Sequence, residues 1–148
     1  MPNQKPPGER QPTRPDPPGG ERPRTVAVID DDRSSLEALV SLIHAAGHAV
    51  EGFESATRFL AEVSADAYAM LIVDVHMPRM GGIELLQTLR GVRDVTPVVL
   101  VTARADPGSR ARALNAGAIG FLDKPVDQAF LLSLIDDACQ PGPSSTKV

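Results

Sequence analysis

One cysteine, no tryptophan, one tyrosine and four phenylalanines are spread over 148 residues. Cys139 stands alone, so no internal disulfide can form and no cysteine cluster can hold zinc. His44, His48 and His76 are scattered rather than spaced as metal ligands. With so few rings, the interior must be built from Val, Ile, Leu and Ala. No apolar run approaches the ~18 residues that a membrane helix needs. The first 24 residues, MPNQKPPGERQPTRPDPPGGERPR, lack the apolar centre of a secretory signal. A reducing cytoplasm is the expected location. Positive charge is also short where a core could form. Residues 25–139 carry nine basic and sixteen acidic side chains, so this segment repels phosphate backbones and direct DNA binding is not expected.

The length suits one domain with one sizeable core. Residues 1–24, rich in Pro and Gly without hydrophobic period, are expected to be a disordered or locally polyproline-like tail. Residues 140–148, QPGPSSTKV, are expected to be a flexible end. Between them, over 25–139, strand and helix patterns alternate. Strands are expected at Thr25–Ile29, Ala49–Phe53, Ala69–Val73, Pro97–Val101 and Ile119–Leu122. Helical spacing joins Leu36, Leu39, Val40 and Ile43, with Gly47 as the stop. Ala56, Phe59, Leu60 and Val63 mark a second helix, and Ile83–Arg90 a third. Asp106 before Pro107 is a helix start, with the stop near Gly117. Leu131, Leu134, Ile135 and Ala138 mark the last helix. Five βα units with strands apolar throughout predict a parallel sheet with helices on both faces.

Such sheets bind ligands beyond the carboxyl ends of their strands. The residues just past each strand are therefore informative. The first strand leads into Asp30, Asp31 and Asp32, the third into Asp74, the fourth into Thr102, and the fifth into Asp123, Lys124 and Pro125. Several carboxylates at one rim repel one another and call for a hard divalent cation with oxygen ligands, such as Mg²⁺. Lys124 can pair with a carboxylate or a phosphoryl oxygen, and Thr102 can donate to a bound oxyanion. Carboxylate, Mg²⁺, Lys and hydroxyl together suit phosphoryl transfer with the carboxylate as nucleophile.

The segments VIDDD at 28–32, LIVDVHMPRMGG at 71–82, VLVTA at 99–103 and GFLDKP at 120–125 resemble the receiver domains of two-component response regulators. The resemblance covers roughly residues 25–139. It implies a flavodoxin-like α/β fold with strand order 2-1-3-4-5. It implies Asp74 as phosphoacceptor, and Asp30 and Asp31 as the acidic pair, with Asp31 on Mg²⁺ directly and Asp30 through water. His76 would offer its backbone carbonyl to the metal. Thr102 would be the switch hydroxyl, Phe121 the switch aromatic and Lys124 the conserved-type lysine. A cis peptide is expected before Pro125. The implied phosphodonor is a sensor histidine kinase or a histidine phosphotransfer protein, and the output goes to an unidentified protein target. His76 and Arg104, two residues after Asp74 and Thr102, occupy positions that would tune phosphoryl lifetime.

Other carboxylates read as structural. Asp32 is expected to cap the first helix, and Asp106, Asp123, Asp127, Asp136 and Asp137 to be caps or solvated. The rival reading takes Asp30-Asp31-Asp32 as the D-x-D of a haloacid-dehalogenase-type phosphatase, with Lys124 as its lysine. It needs a later acidic motif at a strand end and leaves the Asp74 loop unexplained. No output domain is expected after residue 139, which suggests a stand-alone receiver or a fragment. The domain is expected to be a switch rather than an enzyme acting on other substrates.

Overall fold

The structure, a computed structural model, describes residues 23–140. The expectations for the two tails fall outside these residues, apart from Pro23, Arg24 and Gln140. In chain order the elements are β1 (Val26–Ile29), α1 (Arg33–Ala45), β2 (Val50–Phe53), α2 (Ala56–Glu62), a 3₁₀ turn (Ala65–Ala67), β3 (Met70–Asp74), α3 (Gly82–Gly91), β4 (Val98–Thr102), α4 (Pro107–Asn115), β5 (Gly120–Asp123) and α5 (Gln128–Cys139). All strand pairs are parallel, and the order is β2-β1-β3-β4-β5. This is the flavodoxin-like sheet that the resemblance implies.

Side-chain alternation along the strands divides the core into two layers. Ala27, Ile29, Leu71, Val73, Val98 and Leu100 face α2, α3 and α4. Val26, Val28, Met70, Ile72, Val99 and Val101 face α1 and α5. The three central strands are buried along their whole length, while β2 and β5 at the edges are only partly covered. That explains the unbroken apolar runs of the centre and the weaker pattern of β2.

The helix boundaries follow their caps. Asp32 accepts from the N–H groups of Ser34 and Ser35 and starts α1. Ser55 caps α2, and Asp106 and Asp127 cap α4 and α5. Gly47 and Gly117, the expected stops, both take left-handed backbone, at φ 97° and 103°. Strands β3, β4 and β5 each end one residue later than their apolar runs do. Asp74 still pairs with Val101, and Thr102 with Asp123, because backbone pairing does not depend on side-chain polarity. The 3₁₀ turn at Ala65–Ala67 is a single turn without periodicity, so no sequence pattern announces it. No helix among the described residues is long and apolar enough to cross a membrane.

Phe53, Phe59 and Tyr68 form a ring cluster on the α2 side of the sheet. Phe59 is fully buried in α2. Its ring lies edge-on to Phe53, with centroids 5.0 Å apart, and 5.8 Å from Tyr68. The Tyr68 hydroxyl donates to Glu51 at 2.6 Å. Burial, with that hydrogen bond and the Glu51 charge, pushes its pKa up to about 12, so it remains a donor at neutral pH. Phe59→Ala is expected to cost about 3–5 kcal/mol of unfolding free energy. Urea denaturation monitored by far-UV circular dichroism measures this; a loss under about 1 kcal/mol would show that the ring cluster does not anchor α2.

Candidate functional site

The carboxyl rim of the sheet gathers Asp30 after β1, Asp74 at the end of β3, Thr102 at the end of β4 and Lys124 after β5. Because β1 and β3 are neighbours, Asp30 and Asp74 come from adjacent strands at the point where the strand order reverses. Lys124 reaches across from the far edge. Its Nζ lies 2.8 Å from Asp30 Oδ2 and 3.0 Å from Asp74 Oδ1. Its own N–H donates to the Thr102 carbonyl at 2.8 Å, which fixes where the lysine leaves β5. The Lys124–Pro125 peptide is cis, as the resemblance implies.

The remaining oxygens are also held. Asp30 Oδ1 accepts from the Asp32 N–H at 2.9 Å, and Asp74 Oδ2 accepts from the His76 N–H at 3.1 Å. Asp30 and Asp74 are buried, and Asp31 is exposed beside them. One carboxylate oxygen from each of the three lies within 4.8 Å of the others. Three carboxylates face one lysine, so two negative charges are left over when all are ionised.

Burial, opposed by Lys124 but assisted by the Asp30 charge, raises the pKa of Asp74. Burial works against the Lys124 cation, yet the hydrogen bonds and charges of Asp30 and Asp74 outweigh it and raise its pKa as well. Asp74 thus holds its proton more tightly than a carboxyl in water, chiefly through burial, while Lys124 keeps its charge through its two acidic partners. An all-oxygen donor set with excess negative charge fits a hard divalent cation such as Mg²⁺.

Thr102 is fully buried, and its Oγ1 accepts from the Arg104 N–H at 3.1 Å. The His76 imidazole is exposed, and its Nε2 lies 3.3 Å from the Arg104 carbonyl. His76 and Arg104 therefore join the two loops that flank the acidic cluster. Phe121 lies inward on β5, 5 % exposed. It stands opposite Leu100, with Thr102 two residues further along the same face.

Gly82 carries a role that its sequence context does not single out, beyond marking a Gly-Gly loop. A Cβ there would lie 2.6 Å from the Asp74 carbonyl oxygen and 2.8 Å from a Leu100 methyl. The missing side chain lets α3 start directly against the end of β3. The Glu84 carboxylate accepts the Gly81 N–H at 2.7 Å and ties down the same corner.

The phosphatase alternative loses its parts. Asp32 is occupied as the cap of α1. Asp136 lies on α5 and pairs with His48 Nε2 at 2.9 Å, near the opposite rim of the sheet, and Asp137 is exposed on the same helix.

Residues 26–136 match the family described as the response regulator receiver domain. The response regulator protein TodT of Pseudomonas putida is 35 % identical over 123 residues, covering 83 % of this chain and 54 % of TodT. The structure of response regulator StyR superposes with a TM-score of 0.71 at 41 % identity, over 78 % of this chain and 59 % of that one. A CheY-like receiver domain protein from Methanospirillum hungatei also superposes with a TM-score of 0.71, at 27 % identity, over 79 % of this chain and 94 % of its own. The chain spans about half the length of the curated relatives it matches first. On these matches, the chain belongs to the receiver domains of two-component response regulators.

Proposed function

We propose that this receiver, the unit spanning residues 25–139, accepts a phosphoryl group on Asp74 from a histidine kinase or histidine phosphotransfer protein in the cytoplasm. The observation that carries the reading is the bridge of Lys124 to both Asp30 and Asp74, with the Asp31 carboxylate alongside. A Mg²⁺ ion would be held by Asp31 and Asp74, by Asp30 through water and by the His76 carbonyl, and it would neutralise charge on the transferring phosphoryl oxygens.

The residues of the chain do the rest. An Asp74 carboxylate oxygen attacks phosphorus in line. The P–N bond to the donor imidazole breaks, its electron pair stays on that nitrogen, and an acyl phosphate forms on Asp74. Lys124 has two carboxylates to serve, and it can turn from Asp74 to a phosphoryl oxygen while keeping Asp30. The Thr102 hydroxyl donates to another phosphoryl oxygen and shifts toward it. That displacement is the input of the switch, and Phe121, on the same face, is placed to register it. Output passes to a protein target through the reshaped surface. With its acidic balance, this domain does not bind DNA itself.

Acetyl phosphate with Mg²⁺ should add one phosphoryl group, detected by intact-protein mass spectrometry, and Asp74→Asn should abolish the gain. Persistent labelling of that variant would move the acceptor elsewhere. Substituting His76 or Arg104 should change the decay of the acyl phosphate several-fold without preventing its formation, because the pair lines the approach of water. Unchanged decay in both single variants would exclude that role. The pKa of Asp74 also makes a stability prediction. A raised folded-state value means that the carboxyl favours folding at low pH and that this advantage is lost as pH rises through the folded value. In EDTA, Asp74→Asn should therefore be more stable than the parent protein at pH 7. The difference should fade below the ordinary carboxylate value of 3.8. Urea midpoints at the two pH values measure it.

A further inference from the structure

Helix α4 is loosely anchored. Its buried side chains are Ser109 and Ala113, whereas every other α-helix buries at least one Leu, Ile or Phe. An element with so little apolar burial shifts at low cost. Arg110 stands in the first turn of α4, one residue from Ser109 and three from Ala113. Its guanidinium carbon lies 5.0 Å from the centroid of the Phe121 ring. Among the described residues it has no carboxylate or carbonyl partner, so the ring is its specific contact. Phe121 belongs to the same buried cluster as Leu100 and Ala113. Arg110 thus closes the outer side of a ring whose inner side is already packed.

We propose that Arg110 is a positioning residue that holds Phe121 in its inward rotamer and makes α4 and β5 move as one. This rests on the reading of Thr102 and Phe121 as the switch. The mechanical path is short. The Thr102 hydroxyl is bonded to the Arg104 N–H, and residues 103–106 lead straight to Pro107 at the start of α4. A pull on Thr102 is therefore passed to the start of α4 as well as to β5. Besides the small side chain of Ala113 in the shared cluster, the guanidinium over the ring is the contact from α4 to Phe121 that depends on a specific side chain. A cation over an aromatic face within about 6 Å of its centroid is worth enough to shift a two-state population about two- to fivefold.

The test uses the full chain with ¹³C-labelled phenylalanine. In Arg110→Ala without phosphodonor, the Phe121 ring signals should shift. Their relaxation by a soluble paramagnetic agent should show an outward population raised about two- to fivefold. Phe59 signals should stay in place and report an intact fold. Arg110→Lys, which keeps a cation over the face, should move the ring back toward the parent position. After acetyl phosphate and Mg²⁺, amide signals of α4 and the Phe121 ring signals should change together in the parent protein, while in Arg110→Ala those of α4 change and the ring shows a smaller further change. Phe121 signals in Arg110→Ala that coincide with the parent's before phosphorylation, or an undiminished ring response after it, would overturn the proposal. Absence of labelling in the parent protein would count against Asp74 as acceptor and leave the ring measurement to decide the role of Arg110.

Discussion

A single ammonium group between two buried carboxylates sets the terms for the rest of the molecule. Lys124 contacts Asp30 from 94 residues away and Asp74 from the strand between them in the chain. Two buried carboxylates side by side repel, and desolvation adds to the cost. The lysine offsets both only while β1, β3 and β5 end at the same height. The sheet register is thus tied to the chemistry, through the Thr102 carbonyl that holds the Lys124 backbone. The contribution of such a bridge is mainly one of placement, since buried ion pairs add little net stability.

Much of this was legible in the sequence because strand ends are easy to find. Runs such as VAVI and MLIV stop at a charge, and in a parallel sheet those charges converge. Asp30, Asp74, Thr102 and Lys124 came out of that rule. The strand order did not, since no periodicity distinguishes β1 beside β3 from β1 at an edge; it came from the resemblance. The caps at Asp32 and Asp106 were readable because capping is local. Gly82 escaped notice because its role depends on the carbonyl of a residue eight positions earlier folding back onto it. The pairs Arg110–Phe121 and His48–Asp136 escaped for a similar reason: each joins elements whose relative rotation only the packed structure defines.

The two faces of the sheet are unequal in a way that suits a switch. On one face α1 and α5 bury Leu36, Leu39, Ile43, Leu131 and Ile135. On the other, α2 and α3 are anchored by Phe59 and a row of Leu and Ile, but α4 sits on Ser109 and Ala113. Of the five α-helices, α4 is therefore the least firmly anchored to the sheet. The packing thus leaves α4 as the helix that moves at least cost.

Where the two ends of the described chain lie has a consequence of its own. Cys139 Sγ donates to the Arg24 carbonyl at 3.4 Å, so the start of β1 and the end of α5 meet at one place. The strands are parallel, and that place lies at the amino rim, a full strand length from Asp74. Anything joined to this unit at either end is attached on the side away from the acidic cluster. The rim that carries Asp74 therefore stays clear of both points of attachment.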